Sequence, residues 1–181
     1  MAKARALPKS LKGHVAELLV EAYAILSAGG RLAAFGARSD VDHKDFIVDE
    51  VGGYRNAYAQ VKCATHLDAE GHIVCTAHYP KNKVPSHPRF IYIFCLLDES
   101  RMELTRIWFV PSRDFNRLAY REPRGEGRVQ LLFECLASGD RRWDRYEVSR
   151  DELGGRFIEL IERAAGGSPK ALPGVRISLR P

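Results

Sequence analysis

The sequence predicts an α/β or α+β domain with a central mixed β-sheet flanked by helices. Apolar residues recur at helical spacing near both ends of the chain, and several short β-type runs fill the segment between them. Hydrophobic residues make up 45% of the 181 residues, which is enough to bury a sizeable core. Because no internal repeat or long linker divides the chain, we expect one domain over residues 8–165, with tails at 1–7 and 166–181.

The first predicted element is an amphipathic helix over residues 8–28. Pro8 suits a first helical turn, and Gly29-Gly30 favours a helix end. A short apolar strand over residues 31–36 follows. The apolar stripe of the helix, which we expect to face the core, consists of Leu11, Val15, Leu18, Leu19, Ala22, Ile25 and Leu26.

Two β-type runs, at residues 45–49 and 56–63, flank Gly52-Gly53 and predict a two-residue hairpin. A second hairpin is predicted around residues 68–71, with residues 73–75 as the returning strand. The proline-containing segment 79–89 is typical of an exposed loop.

The second half of the chain predicts more strands and two more helices. Apolar strands are expected at residues 90–97, 104–110 and 129–136, with a polar turn at 98–101. The helices are expected from Pro111-Ser112 to about Tyr120 and over residues 151–165, and a charged, flexible loop is expected at residues 121–128.

Charge and cysteine content narrow the choice of partner and compartment. The net charge of +5 and the pI of about 9.1 are compatible with a polyanionic partner. No apolar run approaches the roughly 20 residues of a membrane span, and the N-terminus lacks a signal-peptide core. The four cysteines form no Cys-x-x-Cys pair, which favours buried free thiols and disfavours a zinc site. We therefore expect a cytoplasmic protein.

The first hairpin contains the best candidate for chemistry. In the register that Gly52-Gly53 predicts, Asp45 lies directly opposite Gln60, and Lys62 points to the same solvated face. A slip of one residue would move Asp45 into the core, which burial disfavours. The opposite, apolar face is expected to be buried and consists of Phe46, Val48, Ala57, Ala59, Val61 and Cys63.

This group of side chains can hold a divalent metal beside a phosphate. The Asp45 carboxylate, the Gln60 side-chain oxygen and the Val61 backbone carbonyl are hard ligands of the kind that Mg²⁺ or Mn²⁺ takes. A bound metal lowers the pKa of a water molecule that can attack a phosphodiester. Lys62 can orient that water or stabilise developing charge. Such residues also occur on ordinary solvated hairpins, so the pattern by itself leaves both interpretations open.

The order of these residues resembles the PD-(D/E)XK nuclease superfamily. The likeness begins with Lys12-Gly13-His14-Val15-Ala16-Glu17, continues through residues 39–48 and ends at Gln60-Val61-Lys62. Glutamine at the second position is similar to the Mrr-like restriction branch, and the helix motif looks like that of Holliday-junction resolvases. The resemblance implies a restriction-endonuclease-like core.

The resemblance also implies a role for each matched position. Asp45 would be the central metal ligand, Gln60 would replace the second acidic ligand, and Lys62 would be the catalytic lysine. Glu17 would approach the site from the helix, although periodicity does not select it and a solvated helix charge is the alternative. Asp42 is the preferred auxiliary metal ligand, with a turn cap as the alternative. Glutamine in place of a carboxylate is expected to weaken metal binding.

The implied partner is DNA, and two loops contain candidate phosphate-binding residues. Ordinary solvated loops are the alternative for each residue. The candidates are Lys81, Lys83 and Arg89 in the proline-containing loop, Arg121, Arg124 and Arg128 in the glycine-containing loop, and Tyr79, whose ring could stack on a base or pack against a sugar.

The leading hypothesis is a metal-dependent DNA endonuclease of restriction, defence or DNA-processing type, which hydrolyses phosphodiester bonds. Resolvase-like cleavage of branched DNA stays open as a subclass. The alternatives are a catalytically inactive nuclease-fold module for nucleic-acid binding or assembly, and an unrelated α/β domain. Because cutting both strands commonly needs two active sites, we also consider a homodimer, and a partner subunit of a defence or DNA-processing system.

Overall fold

The computed structural model describes residues 8–36 and 43–164, which form two β-sheets and three helices. No helix in these two ranges is long and apolar enough to cross a membrane. In chain order the elements are α1 (Lys9–Ser27), β1 (Leu32–Gly36), β2 (Phe46–Glu50), β3 (Asn56–Ala64), β4 (His72–Pro80), β5 (Phe90–Asp98), β6 (Glu103–Pro111), α2 (Ser112–Leu118), β7 (Tyr120–Arg124), β8 (Arg128–Leu136), β9 (Glu147–Val148) and α3 (Leu153–Ala164).

The larger sheet has six strands in the order β1-β2-β3-β5-β6-β9. Its β3–β5 pair is parallel and its other pairs are antiparallel, so the predicted central mixed sheet is confirmed. The smaller sheet, which the sequence did not predict, is antiparallel and has the order β4-β8-β7.

The larger sheet separates two apolar clusters. Helices α1 and α3 cover one face, where Phe46, Ile93 and Phe157 are buried. The smaller sheet and α2 cover the other face and enclose Phe94 and Phe133, whose rings stack with centroids 4.2 Å apart. The prediction of helices on the flanks therefore holds for one face, while the other is covered mainly by a second sheet.

The prediction of a second hairpin is wrong. The turn at residues 68–71 does form, and the Gly71 N–H donates to the Asp68 carbonyl at 3.2 Å. However, β3 pairs with β2 over Asn56–Ala59 and with β5 over Tyr58–Ala64, while the apolar side chains of β4 pack on the face of the larger sheet. Strand β4 instead pairs with β8 from His72 to Pro80. The exposed loop therefore begins after Pro80 rather than at residue 79.

Residues 120–124 form an edge strand, β7, where the sequence predicted a flexible loop. All the side chains of β7 are exposed, although its backbone pairs with β8. An exposed edge strand shows no alternation of apolar and polar residues, so periodicity could not reveal it.

The bounds of α1 are as predicted, with Pro8 at the N-cap and positive φ angles of 59° and 81° at Gly29 and Gly30. Its buried face differs from the predicted stripe, of which Val15 and Leu19 pack partly against the core. Leu11, Leu18 and Leu26 are 49%, 52% and 76% exposed. The face that packs inward consists of Ala16, Val20, Ala24 and Ala28. These short side chains bring the helix axis close to the elements beneath it.

Candidate active site

The β2–β3 hairpin has the predicted register. Phe46 lies opposite Ala59, and the Asp45 N–H donates to the Ala59 carbonyl at 2.9 Å. The turn is longer than predicted, because the Glu50 N–H already bonds to the Arg55 carbonyl at 3.0 Å. Both turn lengths place the same residues opposite one another, so the register is unchanged.

One face of this hairpin is buried as predicted, and the other is not solvated as predicted. The apolar face packs under α1 and α3, with Cys63 partly buried at its end. On the other face the smaller sheet covers Gln60, which is only 4% exposed. Asp45 and Lys62 are half-buried at the margin of the covered area.

The Asp45 carboxylate lies just before the first residue of β2 and contacts the edge of β3. Its Oδ2 accepts a hydrogen bond from the Val61 N–H at 2.6 Å. The backbone N–H and C=O of a strand residue point to the same side of the strand. The Val61 carbonyl therefore points toward the same space as the Asp45 carboxylate, which places two oxygen ligands together.

Gln60 is held from behind by two buried tyrosines. Its Oε1 accepts a hydrogen bond from the Tyr79 hydroxyl, which in turn accepts one from the Tyr92 hydroxyl at 2.8 Å. Burial raises the pKa of Tyr92, so this phenol remains a donor. One lone pair of the oxygen predicted to bind metal is thus used by Tyr79, and a carbonyl oxygen has one further lone pair.

Glu17 and Lys62 line one cleft, of about 630 Å³, between α1, β3 and β4. Val61 also lines it, together with Lys12 and Gly13 from the beginning of α1. Helical periodicity did not select Glu17, and only its match to the helix motif did. The structure brings Glu17 to the same cleft as Val61 and Lys62 because α1 packs directly on β3, whereas Asp45 and Gln60 do not line this cleft.

Three thiols lie around Lys62, a grouping that no sequence motif predicted. The Sγ atoms of Cys75 and Cys95 are 3.5 and 3.8 Å from the Lys62 carbonyl oxygen. Cys63 lies opposite Cys95 in the β3–β5 pair. A hydrogen bond from the buried Cys95 thiol lowers the pKa of Cys63, and the same contact raises the pKa of Cys95. All four cysteines are free, and three of them are fully buried, as expected.

A basic groove of about 930 Å³ lies beside the residues that precede Asp45. Two predicted phosphate-binding residues, Lys83 and Arg89, line it. His43 and Lys44 line it as well, and the Lys44 ammonium lies 4.4 Å from the centre of the Tyr58 ring. Only the position of His43 and Lys44 next to Asp45 in the sequence could have indicated this grouping.

The other predicted phosphate-binding residues lie on the smaller sheet. The Lys81 N–H donates to the Gly127 carbonyl at 2.8 Å, and Arg124 lies opposite Arg128, which brings these three side chains to one end of that sheet. Arg121 is further along β7 and donates to the Asn116 carbonyl at 2.8 Å. All three arginines are exposed.

Tyr79 is fully buried, so the expectation that its ring contacts a base or a sugar is wrong. Its place in the alternation of β4 directs it inward, where it bonds to Gln60. Asp42 lies outside the described residues.

The fold is similar to that of a bacterial homing endonuclease, I-Ssp6803I. The match has a TM-score of 0.53 at 16% sequence identity and covers 89% of this chain and 96% of that chain. No protein-family profile and no curated protein sequence matches the chain. At this identity the similarity shows the fold alone, and that fold is the restriction-endonuclease-like α+β core expected from the sequence.

Proposed function

We propose that the protein is a metal-dependent DNA endonuclease of the PD-(D/E)XK superfamily, which hydrolyses phosphodiester bonds. The observation that supports this most directly is the Asp45 carboxylate, held at 2.6 Å by the Val61 N–H in a nuclease-like fold. Glu17 and Lys62 in the adjoining cleft complete the set of residues that the resemblance requires.

The oxygen ligands suit a hard divalent cation. The carboxylate of Asp45 and the carbonyl of Val61 face the same space, and Glu17 adds a second negative charge from α1. Gln60 would contribute the remaining lone pair of its side-chain oxygen, and Asp42 is proposed as an auxiliary ligand. Mg²⁺ and Mn²⁺ prefer such ligands, and a bound ion would supply Lewis-acid stabilisation of the phosphate.

Lys62 has the role of stabilising negative charge that develops on the phosphate. Lys62 lines the cleft together with Glu17 and Val61, two of the proposed metal-binding residues. Three cysteines, Cys63, Cys75 and Cys95, surround the backbone of Lys62. They belong to the two apolar clusters, which hold this strand in place. A lysine on a fixed strand can remain oriented without a large loss of entropy on binding.

The basic groove would position the DNA backbone. Lys83, Arg89 and Lys44 line the groove, and Lys44 directly precedes Asp45, so phosphates bound there would lie near the proposed metal ligand. The cationic end of the smaller sheet, with Lys81, Arg124 and Arg128, would extend this contact. Contacts of this kind set affinity and orientation rather than sequence preference.

Cleavage assays with the full chain test the proposal. Supercoiled, linear and four-way-junction DNA are incubated with Mg²⁺, Mn²⁺ or EDTA, and DNA binding is measured in parallel with Ca²⁺. We expect metal-dependent cleavage that Lys62→Ala lowers by at least about 100-fold, the effect of removing one charge-stabilising group. DNA binding should be almost unchanged. Lys83→Ala is the matched control, and we expect it to weaken binding more than the rate of cleavage at saturating protein.

Cleavage that Lys62→Ala leaves unaffected would exclude this mechanism. The three DNA substrates also separate a restriction-type activity from the resolvase-like subclass, because only the latter prefers the junction.

A nucleic-acid-binding module without catalytic activity is the second candidate. Two features of Gln60 favour it. A glutamine at this position leaves the proposed site one carboxylate short, and its side-chain oxygen accepts a hydrogen bond from the buried Tyr79 hydroxyl. DNA binding by the wild-type chain without cleavage in either metal would support this candidate over the first.

A further inference from the structure

The outer face of α1 is apolar, and no other described element covers it. Leu11, Leu18 and Leu26 are 49%, 52% and 76% exposed, and Ala22 is exposed between them. These residues belong to the stripe that the sequence predicted to be core. The described core uses mainly the opposite face of the helix, although Val15 of the same stripe packs partly against it.

A helix that is apolar on two opposite faces is normally covered on both. Isolated exposed leucines are common on protein surfaces, but a continuous apolar patch marks an interaction site. The patch runs along most of α1, which has 19 residues. The spacing and the charges of this patch indicate which partner it fits.

The spacing is that of a helix–helix contact. Leu11, Val15, Leu18, Ala22 and Ile25 are separated by alternating steps of four and three residues, which is the heptad pattern of two packed helices. We propose that this face binds the same face of α1 in a second copy of the chain, as an antiparallel pair with two-fold symmetry. A two-fold contact requires a self-complementary surface.

The charges beside the apolar stripe meet that requirement. His14 and Glu21 lie on the same edge of the stripe; the His14 side chain is 64% exposed, and its Nδ1 lies 3.5 Å from Glu17 of the same helix. When Leu11 faces Ala22 and Val15 faces Leu18 of the second copy, His14 lies beside Glu21 of the second copy on both sides of the axis. The register shifted by one heptad step would place the two Glu21 side chains together, so charge favours the first.

The contact is expected to be modest in size. A helix of 19 residues is about 28 Å long, so a single pair of helices lies at the low end of specific interfaces, below about 1,200 Å². We therefore expect a dimer whose population rises with protein concentration, rather than an obligate one. Such a dimer would bring two copies of the candidate active site into one particle.

Sedimentation velocity of the full chain, without DNA or metal, tests the proposal over a wide range of concentration. The wild type should shift from monomer to dimer, and Leu18→Lys should remain monomeric. Met102→Lys is the matched control, because Met102 is 51% exposed and lies in the turn between β5 and β6. Circular dichroism verifies that both variants are folded. A wild type that stays monomeric, or a Leu18→Lys variant that dimerises as well as the control, would overturn the proposal.

A charge exchange tests the register. His14→Glu should weaken dimerisation, because it places a second carboxylate beside Glu21 of the other copy. The double variant His14→Glu/Glu21→Lys should restore it. A double variant as weak as His14→Glu would contradict the antiparallel register. Because mass is measured without substrate, these results do not depend on whether the protein is a nuclease.

Discussion

At the residue scale, Gln60 has the surroundings that matter most for the proposed chemistry. Its side chain is buried against the smaller sheet, and two tyrosine hydroxyls in series orient its amide. Burial would destabilise a charged carboxylate at this position, unless a cation beside it compensated for the lost hydration. The neutral amide avoids that cost and would leave Asp45 and Glu17 as the negative charges of the proposed site.

Gln60→Glu should therefore increase the affinity for Mn²⁺ and Mg²⁺ by roughly tenfold or more, about 1.4 kcal/mol, because it adds a charged ligand. Without metal, the variant should unfold at a lower temperature than wild type, and metal should raise that temperature more than it does for wild type. Differential scanning fluorimetry over a metal titration measures both effects.

The control for this variant is Gln130→Glu, since Gln130 is also buried but lies on β8 and bonds to Arg124. An equal metal response in the two variants would show that Gln60 is not near a metal site.

Cys63 should be the most reactive thiol of the chain. The hydrogen bond from Cys95 lowers its pKa, and it lines the cleft, whereas burial raises the pKa of Cys75 and raises that of Cys135 to about 12. Because the thiolate is the reactive form, its alkylation should become fast at lower pH than that of the other thiols.

Mass spectrometry after brief iodoacetamide treatment at several pH values measures this order. The variant Cys63→Ser should lose the fast reaction. A fast reaction that persists in this variant would assign the reactivity to another cysteine.

At the element scale, the crossing of α1 and α3 depends on one glycine. The Gly154 N–H donates to Ser27 Oγ at 2.8 Å, and that hydroxyl donates to the Tyr23 carbonyl at 2.6 Å. A Cβ at Gly154 would lie 2.5 Å from the Ala24 carbonyl oxygen, which is closer than such contacts occur. Because α1 and α3 pack beside each other on the same face of the larger sheet, this crossing fixes the position of α1 and therefore that of Glu17.

Gly154→Ala should destabilise the protein by about 1–3 kcal/mol, since the two helix backbones must separate. Gly155→Ala should have the opposite sign and stabilise by about 0.5–1 kcal/mol, because nothing lies within 4 Å of its Cβ position and alanine favours the helix. Urea unfolding followed by circular dichroism measures both. Equal effects of the two substitutions would contradict the close contact.

At the scale of the whole molecule, the second apolar cluster joins the two sheets. Phe133 on β8 contacts Phe94 on β5 and lies with its ring centroid 5.2 and 4.7 Å from those of Trp108 and Trp143. Both tryptophans of the chain are fully buried here. The smaller sheet can cover Gln60 only if these aromatic contacts hold the two sheets together.

Phe133→Ala should lower the free energy of unfolding by about 3–5 kcal/mol, the usual effect of removing a buried aromatic ring. Phe35→Ala, at a phenylalanine of β1 that is 56% exposed, should change it by less than about 0.5 kcal/mol. Tryptophan fluorescence and circular dichroism during urea unfolding report the second cluster and the whole fold. A similar loss in both variants would mean that the sheets are not held together at Phe133.

Some of the candidate site could be predicted from the sequence, and some could not. The opposition of Asp45 and Gln60 followed from the glycine turn and the apolar alternation, which are both local. The bonds of Gln60 to Tyr79, and the groove that Lys44 shares with Lys83, join segments far apart in the chain. No periodicity contains that information, because it depends on which surfaces meet.

The sequence by itself determined where most helices and strands begin and end, and it determined the register of the β2–β3 hairpin. These features depend on side-chain spacing and turn residues within a few positions of one another. Only the tertiary structure decided that β4 joins a second sheet, that Gln60 and Tyr79 are buried, and which face of α1 points inward. The physical reason is that α1 has apolar residues on two faces, and the packing partner selects the face with the shorter side chains because it permits the closer contact.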